Sequence, residues 1–241
     1  MTKLVDLSMM VHGDMVVFPR VARPILTMLE THEDYANNMG ATQYGVDKLT
    51  AHCLVVLGDH VGTHVDSRFH IVPDAPAVEG IPLEYCYGDG VLLDFSDKPA
   101  GYIIQAADIE EALKKINYQI KPLDIVLIYT GASDYNGEQR YLVEHSGMSG
   151  EATKYLIDKG VKMMGCDAPT FDPPVKTMFE TKKFWEAHRV MWTKEYYHLE
   201  NMANFKDLPR PYGFKLAVFP VLWKGTTGAP VRAVAIYEDL E

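Results

Sequence analysis

The chain has 241 residues, 47% of them apolar, enough for one substantial core, and residues 1–241 read as a single domain. Its 33 acidic residues outnumber 23 basic ones, giving a formal charge of −10. That balance repels phosphate backbones and anionic lipid, so no nucleic-acid partner and no membrane partner is expected.

From the N-terminus, residues 1–13 carry Asp6 within an apolar stretch and lack the core of a secretion signal. No apolar run approaches the ~18 residues that span a bilayer. Cys53, Cys86 and Cys166 are widely spaced and form no Cys-x-x-Cys pair, which reads as buried reduced thiols in a soluble cytoplasmic protein. Residues 18–44, with Pro19, Pro24 and a polar run, read as irregular. They suit a loop over the substrate, in the same or a neighbouring subunit, or an arm that binds a partner. Residues 91–95 form a short apolar run expected to be a buried strand. Ile109, Leu113 and Ile116 line one face of a helix over residues 107–118, which Pro122 terminates. Residues 124–129 read as the next strand. Ser149 is a helix N-cap, Glu151 suits the positive helix end and Gly160 is the stop, followed by a strand at 161–164. Residues 214–222 and 231–237 read as paired strands connected through Gly225, Gly228 and Pro230. This order gives an α/β or α+β fold with a mixed sheet. A phosphate-binding glycine loop and a Gly-x-Ser-x-Gly nucleophile elbow are both absent.

The densest chemistry lies in His60-Val-Gly-Thr-His64-Val-Asp66-Ser-Arg68-Phe-His70. Imidazole and carboxylate are ligands for Zn²⁺, Mn²⁺ or Fe²⁺. On a straight strand His60 and His64 would stand ~13 Å apart, too far for an easy chelate. On a helix they would be neighbours, but Asp66 would turn away. A bend near Gly62 followed by extended chain reconciles the set.

This run, His60-x-Gly-Thr-His64-x-Asp66-x3-His70, resembles the signature of the cyclase family of metal-dependent hydrolases, which includes bacterial kynurenine formamidase and isatin hydrolase. Residues 4–8, 80–84, 128–131 and 165–172, and His188 with Glu200, are similar to further family segments. The resemblance implies an α/β, swivelling β/β/α domain with a mixed, partly closed sheet, assembled as a homodimer or homotetramer. It implies a divalent metal, Zn²⁺ or Mn²⁺, one or two ions per subunit. His60, His64, Asp66, His188 and Glu200 would be ligands, and His70 the general acid/base in hydrolysis of a C–N bond in a small amide, N-formyl amine or cyclic amide. N-formylkynurenine, and a cyclase or dehydratase reaction without net hydrolysis, are the alternatives. Arg68 stands where formamidases have proline and could hold a substrate carboxylate or brace a loop. Additional residues near 176–185 and before His52 also separate this chain from compact formamidases. Trp185 and Trp192 could wall an aromatic pocket. Asp167, Thr170 and Asp172 could hydrogen-bond the ligands or stabilise a proline-rich turn. His198 is a candidate support for the centre, His52 reads as structural, and His12, His32 and His145 read as surface residues.

Overall fold

The computed structural model of the protein describes residues 1–238, so the last three residues of the expected domain lie outside it. Among the described residues the strands are β1 (Lys3–Asp6), β2 (Ile25–Glu30), β3 (His52–Val56), β4 (His64–Asp66), β5 (Tyr87–Asp94), β6 (Ile103–Ile104), β7 (Ile125–Tyr129), β8 (Gly147–Met148), β9 (Met163–Cys166), β10 (Tyr197–Glu200), β11 (Tyr212–Ala217), β12 (Gly228–Pro230) and β13 (Val234–Tyr237). The helices are α1 (His32–Asn38), α2 (Ala106–Lys115), α3 (Gly150–Asp158), α4 (Val175–Thr181) and α5 (Glu186–Arg189).

Nine strands form one mixed sheet in the order β1-β13-β11-β5-β7-β9-β10-β4-β12. Its centre, β5-β7-β9-β10, is parallel and both flanks are antiparallel. The connection from β12 to β13 shows that this sheet is rolled. Pro230 and Val234 are four residues apart, at most ~14 Å of chain. Their strands are seven steps apart in the order, ~34 Å if the sheet were flat. A bridge between Ser8 and Met202, and the Ala203 N–H donating to the Leu7 carbonyl at 3.0 Å, tie the chain beyond β1 to the chain beyond β10 across the roll.

The two faces of the sheet carry separate apolar clusters. In β7, Val126 and Ile128 pack with Ile109, Leu113 and Leu156 of α2 and α3, while Ile125, Leu127 and Tyr129 face the inside of the roll with Val65, Leu199 and Leu216. Covering on both sides explains why β7 is a continuous apolar run rather than an alternating one. The Ser149 side chain accepts from the Ala152 N–H to cap α3, and Gly160, at φ +95°, lies just beyond its end.

Two expectations are corrected. Residues 214–222 are not all strand: β11 ends at Ala217, and Gly228–Pro230 is itself a strand, paired with β4. Residues 18–44 are not irregular, since they contain β2 and α1. Thr31 and Asp34 form a reciprocal capping box that starts α1, and β2 pairs with β3 as a two-stranded ribbon. Both strands of this arm are exposed apart from the partly covered Glu30, so β2 shows no in–out alternation to read. Cys53 lies in it and is exposed, against the expectation of three buried thiols, because neither face of the ribbon is covered; Cys86 and Cys166 are buried.

Candidate metal centre

Antiparallel pairing of β4 with β10 sets His198 opposite Asp66 and Glu200 opposite His64. Strand alternation then turns these four side chains to one face and sends Val65 and Leu199 into the core. Just before β4 the chain turns at Gly62, where φ is +67° and a Cβ would meet the Val11 methyl at 2.5 Å. The turn folds His60 back over the strand, 4.9 Å from His64 between ring centroids. His188 arrives from α5. Asp172 accepts from the Ala187 and His188 backbone N–H groups at 2.8 and 3.1 Å and so holds that short helix in place. Gly147 lets this turn approach, since a Cβ there would overlap the Asp172 and Pro173 backbone.

Asp66 sits in the middle, fully buried. Its Oδ1 lies 2.8 Å from His60 Nδ1 and 3.2 Å from His64 Nε2, while Oδ2 lies 3.3 Å from His188 Nε2. Glu200 faces the same space, with Oε2 3.8 Å from His64 Nε2 and Oε1 3.6 Å from His188 Nε2. The Phe171 N–H donates to Glu200 Oε1 at 2.7 Å and fixes that carboxylate.

The outward nitrogens show what the inner ones are for. His64 Nδ1 donates to the Gly62 carbonyl at 2.8 Å, and His188 Nδ1 donates to Asp172 at 2.6 Å. His60 Nε2 donates to the Thr227 hydroxyl at 2.8 Å, because that hydroxyl gives its own proton to Asp59 at 2.7 Å. Each ring keeps one proton outside and directs its other nitrogen at carboxylate oxygens, the arrangement that holds metal-ligating histidines. Among the described residues, buried His64 Nε2 and Asp66 Oδ1 make no hydrogen bond of good geometry, although Oδ1 lies 2.8 Å from His60 Nδ1. These donors fit a divalent cation, and the mixture of imidazole and carboxylate without thiolate suits the Zn²⁺ and Mn²⁺ class. With no cation between them the groups would compete for protons. Burial pushes the His60 imidazolium down, but Asp66, Asp59 and Glu200 outweigh it and raise its pKa to about 9.

His70 stands at the rim. Its side chain is 35% exposed, its Nε2 is 3.9 Å from Asp66 Oδ2, and its ring lies 4.2 Å from His60 and 5.6 Å from His188. Burial, assisted by His60 and His188 wherever these are protonated, lowers its pKa despite Asp66. Arg68 starts the 3₁₀ turn that carries His70, and its Nε and Nη2 both donate to the Met191 carbonyl, at 3.2 and 2.9 Å. These contacts brace the turn, the second of the two roles the sequence offers for Arg68.

The two tryptophans part company. Trp185 meets His188 edge to face at 5.1 Å and touches Phe18 at 5.9 Å, forming a wall of the centre. Trp192 is 53% exposed and lines a separate cleft of about 800 Å³ with Glu186 and Arg189, which none of the clustered ligand-type residues borders. Asp167 accepts from the backbone and hydroxyl groups of Thr130 and Ser133, tying β9 to β7 rather than touching the centre. Thr170 Oγ1 accepts from the Asp172 N–H at 3.4 Å. His52 pairs with Glu30 in the arm. His145 is 1% exposed and not a surface residue; its Nδ1 donates to the Ser146 carbonyl at 3.0 Å within the core. Sequence reasoning missed Asp59 and Thr227. Asp59 had only its adjacency to His60 as a signal, and Thr227 had none.

Comparison with known proteins agrees with this architecture. A kynurenine formamidase from Bacillus anthracis is 22% identical over 233 residues, 97% of each chain. The isatin hydrolase A of Ralstonia solanacearum superposes with a TM-score of 0.84 at 20% identity, covering 98% of this chain and 92% of that one. The isatin hydrolase A of Labrenzia aggregata, bound to benzyl benzoate, gives a TM-score of 0.81 at 21% identity, covering 99% and 94%. The family model named Cyclase matches residues 5–173, well over half of the sequence, and the chain therefore belongs to the cyclase family.

Proposed function

We propose that the protein is a metal-dependent hydrolase that opens a non-peptide C–N bond in a small amide, N-formyl amine or cyclic amide. One observation carries this reading: Asp66 lies between inward-facing imidazole nitrogens on both of its oxygens, with part-exposed His70 beside it. The names of the relatives, kynurenine formamidase and isatin hydrolase, support a C–N target. His60, His64, Asp66, His188 and Glu200 would hold Zn²⁺ or Mn²⁺, and the use of both Asp66 oxygens favours two ions. A bound cation would polarise the attacked carbonyl and ease deprotonation of water. His70 takes the water proton at its imidazole and returns it to the leaving nitrogen. The Arg68–Met191 contacts hold His70 in register, and Trp185 limits water on the His188 side.

Free cysteines throughout the described chain support a reducing, cytoplasmic setting, and no described helix is long and apolar enough to cross a membrane. The exposed apolar ribbon of the arm supports a homodimer or homotetramer, since an isolated two-stranded ribbon is marginal in water.

The test is turnover with added Mn²⁺ or Zn²⁺ on N-formylkynurenine, isatin, a dienelactone and simple cyclic imides, each with a chelator control. Chelator-sensitive turnover that adds one water to the substrate is expected. A product formed without added water, or no turnover from metal-loaded protein, would overturn the reading.

A further inference from the structure

His198 faces a forced choice. It is fully buried in β10, directly opposite Asp66. The Tyr196 hydroxyl, equally buried, donates its single proton to the Ala187 carbonyl at 2.6 Å. In the 3.3 Å contact between the two side chains the phenol oxygen can therefore only accept, so His198 Nδ1 carries the proton. His198 Nε2 is left pointing at Asp66 Oδ2, 3.1 Å away, and Glu200 Oε1, 3.5 Å away. His188 Nε2 lies on the same two oxygens at 3.3 and 3.6 Å, with its own Nδ1 proton held by Asp172. All four donors fall within 4.8 Å of one another. Donors ~2.1 Å from a common centre in a tetrahedron stand ~3.4 Å apart, and the four separations bracket that value. Phe171 stacks on the His198 ring at 5.0 Å and covers this half of the centre.

We propose that His198 Nε2 is the fourth protein donor of a closed cation site made with Asp66, His188 and Glu200, and that Tyr196 is the positioning residue that fixes its tautomer. The proposal rests on the metal-centre reading above. A closed four-donor set leaves no place for water or substrate, whereas the three donors His60, His64 and Asp66 leave one open beside His70. The two halves of the centre would then have different work: the His188 and His198 half would hold a cation that orders Asp66 and Glu200, and the His60 and His64 half would face the substrate.

The experiment titrates Co²⁺ alone into the chelator-stripped full chain, following visible absorption and the metal retained after a chelator challenge. The wild type is expected to keep one tightly held equivalent with the intense absorption of a tetrahedral site. His198→Ala should lose that equivalent and its absorption, and Tyr196→Phe should hold it ~10–100-fold more weakly. Retention and spectrum identical to wild type in His198→Ala would overturn the ligand assignment and leave the metal centre standing. No Co²⁺ uptake by the wild type would overturn both. If circular dichroism shows His198→Ala unfolded, Tyr196→Phe decides, and unchanged Co²⁺ affinity in it overturns the proposal.

Discussion

In the arm, Ile25, Leu26, Met28 and Leu29 stand exposed on β2, across from equally exposed Leu54, Val55 and Val56 on β3. In the metal centre, His64, Asp66, His188 and Glu200 are buried. Both placements are unfavourable for an isolated chain, the first by exposing apolar area and the second by desolvating charge. They point in opposite directions. The outward nitrogens of His60, His64 and His188 have partners within the chain, so what the centre lacks belongs inside it. The ribbon's side chains have solvent around them, so what they lack comes from outside.

The strongest way to break this contrast is to remove the middle of the centre. Asp66→Ala should abolish cation binding and lower kcat/KM by on the order of 10³-fold or more, read by bound metal and steady-state kinetics. Retained metal with retained turnover would mean that the inward lone pairs serve no ion. His70→Ala should lower turnover by ~10²–10⁴-fold with bound metal unchanged, which separates the rim from the ligands. Next is a buried polar group outside the centre. Burial lowers the His145 pKa from 6.5 to about 4, against the hydrogen bond to the Ser146 carbonyl. Below pH 6.5 the unfolded chain gains a proton that the folded one refuses until about pH 4. Stability should therefore fall by ~3 kcal/mol as pH drops through that window, then level off. Urea unfolding should show this component in the wild type and its absence in His145→Leu, and equal slopes would refute it. The smallest effect on the single chain belongs to the arm. Leu26→Glu with Val55→Glu should change folded-chain stability by under ~1 kcal/mol yet reduce the particle mass seen by light scattering. An unchanged mass would remove the arm from any interface.

The part of the centre that lies within one turn and one short strand was legible. His60, His64, Asp66 and His70 are close in sequence, and only a bend at Gly62 was needed to gather them. His198 and Glu200 meet Asp66 and His64 through the register of two strands more than a hundred residues apart, which no local pattern states. Thr227 reaches His60 only because β12 pairs with β4 at the rolled edge. In the fold, α2 was readable from its one apolar face, and α3 from its Ser149 cap and Gly160 stop. The arm was not, because β2 buries neither face. His145 looked like a surface residue because nothing near it in sequence marks the core that closes over it.

The β4–β10 register has a consequence for how accurately the centre is made. Side chains alternate along both strands, so a slip of one residue would put Leu199 opposite Asp66 and turn Glu200 and His198 away from it. The same slip would pull Leu199 out of the inner core, where it and Val65 are completely buried. An error in the polar face is thus detected by the apolar one, before any cation arrives. Val65 and Leu199 touch no reacting group, yet they act as the proofreaders of the site, and softening them should yield protein that folds with its histidines out of place.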